Sequence, residues 1–141
     1  MKHAKRRASG FTLIELLVVL AILGMLAALV GPRVLNQLGG AKSKTAAVQI
    51  RDLEQALEMY KLDVGRFPGT DMGLEALVRA PGGVRGWNGP YLRGSEVPVD
   101  PWGNDYQYRQ PGKQGAYDVV SLGADGAPGG TGENADVESA E

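Results

Sequence analysis

The sequence contains no cysteine and a single histidine, His3. Without cysteine there can be no disulfide, no thiolate metal site and no cysteine nucleophile. With the one histidine at position 3, the commonest general base and ordinary zinc ligation are missing from the rest of the chain. No G-x-x-x-x-G-K-[ST] pattern occurs, so there is no phosphate-cradling loop of the P-loop type. No pair of carboxylates is marked out by its spacing, and the inventory argues against an enzyme. An excess of one charge is also missing, with 15 Lys and Arg against 16 Asp and Glu, a net charge of -1. Phosphate neutralisation needs a basic surface, so nucleic acid is not an expected partner.

What is present is sorted along the 141 residues. Met1 to Gly10 carries Lys2, Lys5, Arg6 and Arg7 and no acid, whereas Gln114 to Glu141 carries six acids and no base. Thirteen of the 21 glycines lie from Gly82 onward. Four consecutive stretches follow: a basic leader, an apolar run, a small mixed region and an acidic glycine-rich tail.

The run Phe11 to Val30, FTLIELLVVLAILGMLAALV, is apolar apart from Thr12 and Glu15. Twenty residues of helix span about 30 Å, the thickness of a bilayer core. Four bases before the run and only Arg33 just after it predict a cytoplasmic N-terminus with the remainder exported. A cleaved secretory signal has a shorter apolar core, about 7–15 residues, and small residues at both the third and the first position before the cut. Cuts after Ala27 or Ala28 would place Met25 or Leu26 where a small residue is required, so the segment reads as one that is kept. Glu15 is the anomaly, because a carboxylate in a bilayer costs about 2.5–3.5 kcal/mol or more and calls for a partner. Snorkelling to the nearby interface is the plain alternative.

Ser9-Gly10-Phe11-Thr12-Leu13-Ile14-Glu15-Leu16 resembles the prepilin signature of type IV pilins and type II secretion pseudopilins. The resemblance implies that a prepilin peptidase cuts between Gly10 and Phe11 and methylates the new Phe11 amine. In a helical fibre the cationic amine of one subunit can then lie against Glu15 of its neighbour. Wrong register leaves unpaired charges in an apolar bundle, at a cost of several kcal/mol. Glu15, with Pro32 at the end of the apolar run, is accordingly assigned to assembly.

Beyond Gly31-Pro32, where a kink or local melting is expected, Ala46, Ile50, Leu53, Leu57 and Tyr60 recur at spacings that form one apolar stripe. One long helix, apolar all round at its start and amphipathic later, is the simplest account, with Gly39-Gly40 as the place where a turn can loosen. Gly65 to Pro68 ends it, and Thr70 or Asp71 is expected to cap a short second helix through Ala80. Trp87, Tyr91 and Trp102 are read as core anchors. Asp105 to Gln110 and Ala116 to Ser121 alternate around PGKQG, which predicts a hairpin. The fold class expected is α+β: a long N-terminal helix on a small antiparallel sheet. The expected organisation is a leader over 1–10, a transmembrane and assembly helix over 11–33 and a periplasmic domain over 34–141.

GRFPGTDMGLEALV, WNGPYLRG, PVDPWGNDYQYRQPG and YDVVSLGADG look like the major pseudopilin of type II secretion. Type IV pilins usually carry a C-terminal disulfide loop, which this chain cannot form. In the tail, SLGADGAPGGTGENADV lacks the EF-hand pattern, and by spacing alone it reads as a solvated acidic loop. The resemblance implies instead one structural Ca²⁺. Carried over, Asp125 is a side-chain ligand, Leu122 a carbonyl ligand and Asp136 the second carboxylate, with Thr131 and Asn134 as further candidates. Many family members have another acid near Gly132, which is absent here, and Glu133 is the candidate substitute.

The resemblance therefore implies a subunit of a periplasmic fibre that drives export of folded proteins, with a type IV pilus subunit as the alternative. Its implied partners are other copies of itself, minor pseudopilins, the prepilin peptidase, an inner-membrane assembly platform and the lipid bilayer of a Gram-negative inner membrane. Without the four leader bases the chain has 11 bases against 16 acids, a net charge of -5.

Overall fold

A computed structural model describes residues 9–139. The four leader bases therefore lie outside the described residues. The first element, α1, runs Leu13–Val64, and three short strands follow: β1 (Gln107–Arg109), β2 (Asp118–Ser121) and β3 (Val137–Glu138). Contacts divide the chain into two compact units, with the boundary between Leu35 and Asn36.

In the second unit α1 buries one stripe. Ala46, Ile50, Leu53, Leu57 and Tyr60 are all buried, joined by Ala56 and Gly39. These are the positions that the spacing of apolar residues selects. The helix ends where Gly65 takes φ 87° and its N–H donates to the Lys61 carbonyl at 2.7 Å. That left-handed closure satisfies a terminal carbonyl at a φ that glycine adopts without penalty.

The sheet has the order β1-β2-β3, antiparallel throughout, with Tyr108 opposite Val119 and Ser121 opposite Val137. β2 supplies its central strand and turns Val119 and Ser121 into the interior. Val119 joins Ile50, Leu53, Leu57 and Tyr60 in one apolar cluster, completed by Leu74, Leu77 and Tyr106. The Tyr106 hydroxyl donates to Gln49 Oε1, which pins the β1 side of the sheet to the helix. The Tyr108 hydroxyl donates to the Pro68 carbonyl at 2.8 Å.

Several expectations are corrected. α1 takes in Pro32 and Gly39-Gly40 without a break, so neither the melting at Pro32 nor the loosened turn occurs. Proline deletes one helical hydrogen bond, and a 52-residue helix retains the rest. The second helix shrinks to a single 3₁₀ turn, Leu74–Leu77, preceded by Gly73 and lacking a side-chain cap. Thr70 cannot cap it because its hydroxyl both donates to and accepts from the backbone of Gln110, each at 2.9 Å. Trp87 and Tyr91 pack on the core, edge to face at 5.7 Å. Trp102 does not join that cluster, and its Nε1 is buried with no partner among the described residues. The hairpin is shorter than the alternation suggests, and β3 adds a third strand.

Two expected outcomes follow from this core. Leu57→Ala should cost about 2–5 kcal/mol, because it removes a fully buried side chain, while Leu62→Ala on the exposed side should stay within about 0.5 kcal/mol. Denaturant titration of the full chain in detergent measures both. Burial raises the hydroxyls of Tyr106 and Tyr108, and burial together with Glu54 and Glu58 pushes Tyr117 from 10.0 up to about 12. The folded state thus holds protons that the unfolded chain releases, so this stability is present below pH 10.0 and lost as the pH rises toward about 12. Tyrosinate absorbance and circular dichroism should change together over that interval.

Candidate functional site

Gly10 and Phe11 precede α1 and are exposed, Phe11 by 84%. Thr12 caps the helix: its hydroxyl accepts from the Glu15 N–H at 3.3 Å, and Glu15 Oε2 accepts from the Thr12 N–H at 3.4 Å. This reciprocal arrangement is a capping box, which satisfies two of the amides that a helix start leaves free. It also places the Glu15 carboxylate at the positive end of the helix dipole. The pattern T-x-x-E before an apolar run was visible in the sequence, yet attention to Glu15 alone passes over Thr12.

Around that start the helix is apolar on every side. Leu13, Ile14, Leu17, Leu20, Leu23 and Leu26 are all exposed. This part of α1 is long and apolar enough to cross a membrane, and none of its most apolar window is buried. A surface of this extent calls for lipid or other chains as cover.

The C-terminal loop leaves β2 at Leu122 and returns at β3. Gly123 is buried at φ 68°, so close to the returning strand that a Cβ would sit 2.8 Å from the Glu133 carbonyl and 2.9 Å from that of Ala135. Ala124 N–H donates to the Glu133 carbonyl at 2.9 Å, tying the two ends of the loop. Between them Gly126, Gly129, Gly130 and Gly132 all take positive φ.

Asp125 Oδ1 accepts from the Ala127 N–H at 3.1 Å and the residue is exposed. Asp136 Oδ2 accepts from the Gly129 N–H at 2.9 Å, while Asp136 Oδ1 is buried and has no partner among the described residues. Leu122 and Asp136 share the wall of a cavity of about 700 Å³, together with Pro128. Asp125, Thr131 and Asn134 are not in that wall. Thr131 precedes a 3₁₀ turn, Gly132–Asn134, and its carbonyl accepts from the Asn134 N–H at 3.1 Å. Glu133, the replacement acid, is used elsewhere: its side chain lies against Gly39 of α1, where any Cβ would overlap it.

Among the described residues no three His, Cys, Asp or Glu converge as a metal-binding group. A cation here would have to be held by two carboxylates at most, with backbone oxygens completing the set. Hard cations such as Ca²⁺ accept that composition, taking six to eight oxygens. The orphaned Asp136 Oδ1 is the observation that favours one, since a buried carboxylate oxygen without a donor is costly. The donor chemistry therefore fits Ca²⁺.

The sequence model described as type II secretion system protein G matches residues 33–140, and that of the prokaryotic N-terminal methylation motif matches residues 5–31. The chain belongs to the protein G family. Type II secretion system core protein G of Pseudomonas aeruginosa is 50% identical over 94% of this chain and 95% of its own length. That of Vibrio cholerae is 49% identical over 94% and 91%. The crystal structure of the major pseudopilin from the type 2 secretion system of enterohaemorrhagic Escherichia coli superposes with a TM-score of 0.62 at 33% identity. The match covers 74% of this chain and 90% of that one. Members of the protein G family are structural pseudopilin subunits and not enzymes, and this chain shares their long helix and small antiparallel sheet.

Gly39 gives a test of the docked loop. With Glu133→Ala in the background, Gly39→Ala should stabilise the chain by about 1 kcal/mol, the helix-propensity gain of Ala over Gly. With Glu133 present the gain should shrink or reverse, and equal gains in the two melting series would show that Glu133 does not rest there.

Proposed function

We propose that this chain is a subunit of the type II secretion pseudopilus, a helical periplasmic fibre of identical copies whose growth drives folded proteins through the outer membrane. The observation that carries the reading is the uncovered helix start, apolar on all sides with one carboxylate in its first turn. A prepilin peptidase cuts after Gly10 and methylates the amine of Phe11. The leader over 1–10 is lost, 11–33 forms the inner-membrane and assembly segment, and 34–141 lies in the periplasm with the N-terminus cytoplasmic.

In the fibre the Phe11 amine of one copy neutralises Glu15 of the next, so a subunit in the wrong register leaves both charges unpaired in an apolar bundle. Pro32 marks the end of the segment that neighbouring helices cover. Minor pseudopilins and an inner-membrane assembly platform are the further partners; the chain lacks a P-loop, so the energy comes from elsewhere, and the resemblance implies a cytoplasmic assembly ATPase. A type IV pilus subunit gains no better support, since the longest family match is to the secretion protein and the chain has no cysteine.

Ca²⁺ is the ion this reading places in the C-terminal loop, on Leu122, Asp125 and Asp136, with Thr131 and Asn134 contributing oxygens. Clipping β3 to β2 through the ion makes folding of the tail depend on calcium.

Deleting the gene should abolish secretion of a folded periplasmic cargo while leaving pilus motility intact, and a Glu15→Ala copy should not restore it. Loss of motility with secretion preserved would favour the pilus reading. For calcium, the full chain in detergent should melt higher with the ion than with chelator. At 100 times the dissociation constant the gain is about 2.7 kcal/mol. Asp136→Asn should remove the difference.

A further inference from the structure

A buried polar network of Asp100, Asn104 and Ser121 reaches the start of the C-terminal loop. Asp100 is only 2% exposed and Ser121 is fully buried. Asp100 Oδ1 accepts from the N–H groups of Trp102 at 3.1 Å and Asn104 at 2.8 Å, and Oδ2 accepts from the Ser121 hydroxyl at 2.7 Å. The Arg79–Glu75 pair is the one salt bridge among the described residues, so this buried carboxylate is held by neutral donors alone. A group so costly to bury does not serve stability better than an apolar one would. Its value lies in what it positions.

The network ends on Gly123 from two sides. The Ser121 hydroxyl, oriented by Asp100, accepts from the Gly123 N–H at 3.3 Å. Asn104 Nδ2, on the turn that Asp100 closes, donates to the Gly123 carbonyl at 3.2 Å. A peptide group is a rigid plane, so the Gly123 N–H and the Leu122 carbonyl point in directions fixed relative to each other. Holding the one aims the other. The next plane is held likewise, by Asn104 at the Gly123 carbonyl and by the Glu133 carbonyl at the Ala124 N–H.

We propose that Asp100, Asn104 and Ser121 are positioning residues for the cation site, which clamp two consecutive peptide planes so that the Leu122 carbonyl is aimed before the ion arrives. This rests on the calcium reading above. Partners that orient metal ligands commonly set affinity by about 10–100-fold when removed.

The test is calcium titration calorimetry of the full chain in detergent, with melting in chelator measured alongside. Asn104→Asp keeps the shape and loses the donor, and Ser121→Ala removes the hydroxyl. Each should weaken calcium binding by about tenfold or more. Thr70→Ala, which breaks two hydrogen bonds at the turn-side end of β1, is the control for general weakening. It should lower the melting temperature in chelator and leave calcium affinity unchanged. If Asn104→Asp binds calcium as wild type does, or if Thr70→Ala weakens binding as much, the positioning role is overturned. A wild-type chain that takes up no calcium would overturn the calcium reading and this role with it.

Discussion

Everything past Asn36 depends on one packing contact, the burial of the Ile50, Leu53, Leu57 and Tyr60 stripe under a sheet of very few residues. The three strands together comprise nine residues, too few to hold a core by strand pairing alone. Long side chains from loops complete it: Trp87 donates to the Ala76 carbonyl at 2.7 Å, and the Tyr91 hydroxyl reaches Asp63 on α1 at 2.8 Å. The glycine-rich loops are therefore part of the core's wall, which explains why so much of the domain lacks regular structure and still closes over one helix face.

The same helix carries a different boundary condition in its first unit, where its apolar side chains are exposed among the described residues. Two of the amides at its start are satisfied locally by the Thr12–Glu15 box, so those two need no outside acceptor. What remains is apolar area on every side and one carboxylate. That combination suits a lipid phase or a bundle of like helices, and in the assembly proposed above the carboxylate is the feature by which one arrangement would be preferred over another.

Much of this was legible in the sequence because it is periodic. The spacing of Ala46, Ile50, Leu53, Leu57 and Tyr60 marks the buried face, and the alternation around PGKQG marks the hairpin, though it overstates the strand lengths. Non-local chemistry was not legible. Thr70 reads as a cap by its neighbours, yet its hydroxyl is used 40 residues away on Gln110. β3 is two residues in an acidic loop, with no alternation to betray it. At the C-terminal loop, Asp125 and Asp136 could be marked by type. The unpartnered oxygen of Asp136, the seat of Glu133 on Gly39 and the reach of Asn104 to Gly123 depend on contacts that no local pattern encodes.

The uncovered apolar surface of α1 also bears on the thermodynamics of moving the subunit. Lipid tails are as apolar as leucine side chains, so exchanging a coat of lipid for a coat of neighbouring helices leaves the apolar area as dry as before. Transfer between the two environments is then nearly isoenergetic along most of the segment. In the assembly proposed above, resistance to leaving a bilayer would be confined to the charged and polar groups at the ends of the segment, and extraction of the helix would work against those few groups and not against the hydrophobic effect.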